Sequence, residues 1–160
     1  MREQESTSAS ASHSSRIFFV DTNILAYAYD RSDKRKRAIC AKLIRSAFEG
    51  ESNFFVSNQI LAELFVVLTR KVANPLSSED AGTIVRAFID SQKWTKINYD
   101  FMTVRRALDD ARNMGAYSSF WDLLIAETMR DSGVKTIYTE NLRHFEKIPW
   151  VNAVNPMGRK

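Results

Sequence analysis

The sequence predicts a single α/β domain in which helices flank a parallel central sheet. Three observations carry this expectation. Short continuous apolar runs recur along the chain, stretches with helical periodicity separate them, and polar residues follow most of the runs directly.

The first run, Ile17-Phe18-Phe19-Val20, stops at Asp21 and has the unbroken apolar character of a strand buried on both faces. Phe54-Phe55-Val56, Thr136-Ile137-Tyr138 and Ala153-Val154 read in the same way. Residues 23–49 are apolar-periodic but interrupted, and the polar stretch from Asp30 to Asp33 marks a break between two helices. From Ile60 to Leu68 the chain is apolar apart from Glu63, which predicts a largely buried helix. Ile84, Val85, Phe88 and Ile89 share one helical face, and Phe101, Val104, Leu108 and Ala111 share another. Asp100 is placed to N-cap the helix that runs to Met114, Ser119 to cap the next, and Gly133 to end it. Strands alternating with long helices require crossover connections, hence a parallel sheet.

A chain of 160 residues with 44% hydrophobic residues buries one core and no second one. Residues 1–15 hold six serines and no large apolar residue, so they read as a disordered tail in front of a domain spanning residues 16–160. No apolar stretch approaches the roughly 18 residues that span a bilayer, which predicts a soluble, cytoplasmic protein without membrane contact. Cys40 is the only cysteine, which excludes an intrachain disulfide and a cysteine-rich zinc site. The net charge of +4 allows a polyanionic partner without requiring one.

In open parallel sheets ligands bind beyond the carboxyl ends of the strands, so the residues after each run are the candidates for a site. These are Asp21-Thr22-Asn23, Ser57-Asn58-Gln59 and Thr139-Glu140-Asn141. By itself an aspartate after a strand serves equally as a helix cap. Glu63 is more pointed, because a carboxylate in an apolar helix needs a cation or hydrogen-bond donors. The bland alternative is a structural ion pair with Arg70 or Arg106. Asp122 falls in the first turn of a further apolar helix, three residues after Ser119, where capping and chemistry are compatible. Carboxylates brought together repel one another, which only a bound cation relieves, and all-oxygen donors favour Mg²⁺ or Mn²⁺ over zinc.

These residues resemble the PIN-domain family, and within it the VapC-like toxin ribonucleases. Phe19-Val20-Asp21-Thr22-Asn23-Ile24-Leu25 is similar to its N-terminal motif, residues 57–63 to the segment holding its glutamate, and residues 119–126 to its third acidic motif. The likeness continues through Tyr138-Thr139-Glu140-Asn141-Leu142-Arg143-His144 to Val154-Asn155-Pro156. It implies a metal-dependent endoribonuclease in which Asp21, Glu63 and Asp122 hold Mg²⁺ or Mn²⁺, with Thr22, Asn23, Ser57 and Thr139 in support. It also implies a homodimer and a small antitoxin protein that inserts into the active-site groove.

The family's fourth acid stands where this chain has Asn141, a neutral ligand, and Glu140 next to it is the candidate substitute. One ion bound tightly and a second recruited by RNA is the expectation that follows. The asparagine equally favours a rival reading as a non-catalytic module that binds RNA or a protein. Phosphotransfer with Asp21 as nucleophile is a further rival, weakened by Asn23 where a second aspartate is wanted. His144 reads as an ordinary surface or core histidine. The basic run Arg31, Lys34, Arg35, Lys36, Arg37, Lys42 and Arg45 is either a solvated helix face or a non-specific contact with an RNA backbone.

Overall fold

The computed structural model describes residues 17–114 and 119–158, so the tail expected at residues 1–15 lies outside the described residues. The chain order is β1 (Ile17–Val20), α1 (Thr22–Tyr27), α2 (Lys34–Phe48), β2 (Asn53–Ser57), α3 (Asn58–Arg70), α4 (Ser78–Asp90) and β3 (Trp94–Ile97). It continues with α5 (Phe101–Met114), α6 (Phe120–Asp131), β4 (Thr136–Tyr138), α7 (Leu142–Phe145) and β5 (Asn152–Val154). The five strands form one sheet in the order β3-β2-β1-β4-β5, and every pairing is parallel. The α/β class, the four expected strands and the break before α2 are all present.

That strand order creates the functional edge. The chain leaves β1 toward β2 and β3, then returns to place β4 on the other side of β1. Right-handed crossovers therefore put the helices between β1 and β3 on one face and those after β3 on the other. Their N-termini diverge at the carboxyl end of β1, which is where such sheets open a crevice. The core fills both faces, with Phe19, Val20, Val56 and Ile137 from the strands meeting Leu25, Ile60, Leu64, Leu123 and Met129 from the helices.

Local punctuation follows the sequence. Asp100 Oδ1 accepts from the backbone N–H groups of Met102 and Thr103, and Ser119 Oγ accepts from Trp121 N. Gly133, at φ +68°, ends α6 in a left-handed turn, with Val134 N donating to Met129 O and Gly133 N to Arg130 O.

Two expectations are corrected. β3 is a strand that no apolar run announces, because at the sheet edge only Trp94 is buried, against Phe48, Phe54 and Phe88, while Thr95 and Lys96 face solvent. On α5 the expected apolar face is divided: Val104 and Ala111 pack against the core beside the buried Thr103 and Ala107, whereas Phe101 is 92% exposed and Leu108 56%. On the same helix Arg106 reaches Glu127 and Asp131 on α6. Among the described residues no helix is long and apolar enough to cross a membrane.

Candidate active site

Asp21 ends β1 and caps α1, with Oδ1 accepting from Thr22 N at 2.7 Å. Its Oδ2 accepts from Asn23 Nδ2 and from Thr139 Oγ1, both at 2.6 Å. Thr139 follows β4, and the β1–β4 pairing carries it to Asp21, whose N–H donates to Tyr138 O at 3.0 Å. Asn23 spans the same junction, since its Oδ1 accepts from Glu140 N at 3.1 Å. Burial pushes the Asp21 carboxyl up to about 6, against the pull of its donors from Thr139 and Thr22 and with help from the negative charges of Glu63 and Asp122.

Glu63 stands in the second turn of α3. Its Oε2 accepts from Thr22 Oγ1 at 3.0 Å and its Oε1 from Gln59 Nε2 at 2.9 Å. The expectation of a largely buried helix is corrected here: Ile60, Leu61, Leu64 and Leu68 are buried, Glu63 is half-buried and Val66 is 42% exposed. One face of α3 packs on the domain while the other walls a cleft. Among the described residues Glu63 has no ion pair with Arg70 or Arg106; Arg106 is taken by Glu127 and Asp131.

Asp122 enters from the first turn of α6. The backbone N–H of Ser119 reaches back to its carboxylate, completing the capping pair that the spacing implied. Oδ2 is buried, and His144 Nδ1 lies 3.2 Å from it. Burial raises the Asp122 carboxyl, His144 partly opposes this, and Glu63 adds to it.

The three carboxylates line one cleft of about 950 Å³ together with Asn141, His144, Gln59 and Lys71, and with an apolar wall that includes Val66, Tyr99 and Trp121. Asn141 sits just before α7, its N–H donating to Thr139 Oγ1 at 3.0 Å, and its side chain makes no capping bond. Glu140 is corrected as a substitute for the fourth acid. It points instead to α1 and α2, bonded to the Tyr27 hydroxyl and, at 2.6 Å, to Lys36 Nζ. Ser57 is buried and caps α3 through Ile60 N at 3.3 Å, without lining the cleft. Gln59, within the candidate segment after β2, lines the cleft and meets Glu63 at the i, i+4 spacing. His144, which reads from the sequence as an ordinary histidine, also lines it, beside Asp122.

Among the described residues, no three carboxylate, imidazole or thiol groups cluster tightly enough to hold a metal ion between them as they stand. The donor chemistry nevertheless fits a hard divalent cation: the carboxylate oxygens come from three elements, and among the described residues no guanidinium is bonded to any of the three acids.

The PIN domain family model matches residues 18–151, which is most of the chain and every residue of this cleft. The chain belongs to the PIN domain family. Its PIN fold is 27% identical over 141 residues to ribonuclease VapC24 of Mycobacterium tuberculosis, a match covering 86% of this chain and 95% of that protein. Among solved structures it is similar to VapBC2 from Rickettsia felis, bound to a promoter DNA fragment, with a TM-score of 0.61 and 20% identity over 87% of this chain and 98% of that one. It is also similar to VapC20 of Mycobacterium tuberculosis, a toxin that cleaves the sarcin–ricin loop, with a TM-score of 0.60 and 20% identity over 78% and 89% of the two chains. PIN membership and the parallel α/β fold agree with the resemblance read in the motifs.

Proposed function

We propose that this PIN domain is a divalent-metal-dependent endoribonuclease, with Asp21, Glu63 and Asp122 as the ligands of Mg²⁺ or Mn²⁺. The observation that carries the reading is the convergence of three carboxylates on one cleft, with donors orienting them and, among the described residues, no arginine paired with them. Such an arrangement costs electrostatic free energy in the metal-free protein, which binding a cation recovers. The similarity to ribonuclease VapC24 supports RNA as the substrate.

Each residue of the chain has a defined task in this reading. Thr139 and Asn23 hold Asp21 in one orientation, Thr22 and Gln59 aim Glu63, and the Ser119 N–H positions Asp122. An ion held by Asp21, Glu63 and Asp122 would supply Lewis acidity toward a phosphodiester and would make water more acidic. Asn141 presents a neutral amide where the family pattern has an acid, so the chain's own ligands balance one ion. Trp121, 57% exposed at the mouth, offers a ring on which an unpaired base stacks.

We further propose that the chain is the toxin of a toxin–antitoxin pair, acting in the cytoplasm as a homodimer. VapBC2 supports the pairing, and the apolar wall beside the acids suits an inserted antitoxin segment. The exposed Phe101, Met102 and Leu108 on α5 suit burial against a second copy. The test is cleavage of single-stranded RNA with Mg²⁺ or Mn²⁺, in the presence and absence of EDTA. Undiminished cleavage in excess EDTA overturns the metal-dependent reading. RNA binding without any cleavage in either metal would establish the second reading, a non-catalytic PIN module, which Asn141 favours.

A further inference from the structure

The positive charge of this chain is concentrated in one element. α2 carries Lys34, Arg35, Lys36, Arg37, Lys42 and Arg45 with no acid among its residues, and these six cations exceed the +4 net charge of the whole chain. The remainder is therefore net acidic. Two of the six are committed to the fold: Arg35 Nη2 donates to Met157 O at 2.9 Å, and Lys36 pairs with Glu140. The side chains of Lys34, Arg37, Lys42 and Arg45 make no ion pair or hydrogen bond with another described residue.

These four cations share one side of the helix. At 3.6 residues per turn they fall within one broad stripe about 16 Å long, with Ala38 and Ala41 along its middle. The two alanines leave a trough of about 600 Å³ between the longer side chains, and the trough runs out at Glu49 and Glu51. Its near end adjoins the catalytic edge. Lys36, in the first turn of α2, reaches Glu140, whose N–H donates to Asn23, which in turn donates to Asp21. The stripe lies on the opposite side of α2 from Lys36, so the helix itself stands between the trough and this run of contacts to the cleft.

An acidic cleft repels the phosphates of any RNA that approaches it, and among the described residues Lys71 is the one lysine or arginine in its lining. Affinity for a polyanion has to come from elsewhere on the surface. We propose that the Lys34, Arg37, Lys42 and Arg45 face of α2 is an exosite that holds the phosphate backbone of the RNA substrate beyond the cleavage cleft. This rests on the ribonuclease reading. A protein partner is disfavoured because, between its charged side chains, the trough is lined by Ala38, Ala41 and Ser46, with no aromatic or large aliphatic anchor. A membrane surface is disfavoured for the same lack of insertable side chains.

The experiment compares wild type with the full-length variant carrying Lys34→Gln, Arg37→Gln, Lys42→Gln and Arg45→Gln. All four positions are exposed, so the melting temperature should be unchanged. Binding to a structured RNA is measured in EDTA across salt concentrations. Four phosphate contacts, at about 0.7 each for single strands, predict a loss of about 3 in the slope of log affinity against log salt. The double variant Arg37→Gln/Lys42→Gln should lose about half of that. With metal present, the KM for the structured RNA should rise while kcat holds, and cleavage of a short oligonucleotide that fills only the cleft should not change. An unchanged salt slope and KM overturns the exosite. So does α2-dependent retention on phosphatidylglycerol vesicles, or on an acidic protein, with RNA binding unaltered. Absence of cleavage in the wild type refutes the ribonuclease reading instead, and leaves the binding slope to decide on the exosite by itself.

Discussion

Two groups of carboxylates in this molecule are built on opposite principles. On the α5–α6 face, Glu127 is fully buried and accepts from Arg106 Nε at 2.9 Å and Arg130 Nη1 at 3.3 Å, while Asp131 pairs with Arg106 and accepts from Thr103 Oγ1 at 2.7 Å. At the carboxyl edge of the sheet, Asp21, Glu63 and Asp122 have neutral donors and one histidine. The first group arrives with its cations covalently attached to the fold. The second has no lysine or arginine paired with it among the described residues, and in the proposed reading a bound cation balances its charge.

The largest expected effect breaks the second group. Asp21→Asn or Asp122→Asn should reduce metal-dependent RNA cleavage by about a thousandfold or more, since each removes a charged ligand. Circular dichroism should show the fold retained. Residual cleavage near the wild-type rate would place the chemistry elsewhere.

Next comes the pH dependence of the same acid. The Asp21 carboxyl rises from 3.8 unfolded to about 6 folded, so the folded state binds the proton more tightly. The stability from that proton is fully present below pH 3.8 and is lost as pH rises through about 6, a difference of about 3 kcal/mol. Metal-free wild type should therefore be less stable above that window, Asp21→Asn should lack this component, and Mn²⁺ should restore stability to wild type at pH 8. Thermal melts across pH with and without metal decide it, and identical profiles for the two proteins would contradict the burial argument.

Breaking the first group should have the opposite signature. Arg106→Ala leaves the fully buried Glu127 with Arg130 as its remaining cation, beside the Asp110 carboxyl, and should lower the stability of the fold. Denaturant unfolding should register it, while metal affinity measured by calorimetry stays at the wild-type value. A change in metal affinity would mean that the two groups are coupled through α6.

The smallest effects sharpen the edge of the site. Asn141→Asp should tighten Mn²⁺ binding by about tenfold, or about 1.4 kcal/mol, by adding a charged oxygen to the cleft. Glu140→Gln should alter metal binding far less, because its carboxylate is spent on Lys36 and Tyr27. Calorimetric titration of both variants checks the pair; loss of metal binding in Glu140→Gln with no gain in Asn141→Asp would reverse the two assignments.

Four of the five strands, the helix breaks and the acids Asp21, Glu63 and Asp122 were legible in the amino-acid sequence, because a buried run, a cap and a strand-end polar residue are written in consecutive residues. Hydrophobic runs report local burial, and a parallel sheet places their carboxyl ends on one edge whatever the helices between them do. The tertiary structure alone decided what depends on distance across the chain. It divided the α5 apolar face, packing Val104 and Ala111 on the core and leaving Phe101 and Leu108 exposed, while Arg106 reaches α6. It made β3 a strand through Trp94 packing at an edge where alternate residues are wet. It set His144 against Asp122 and bound Glu140 to Lys36, 104 residues away, leaving Asn141 to face the cleft. Neighbouring side chains in a loop point in different directions, and only the partners brought to them by folding determine which one meets the site.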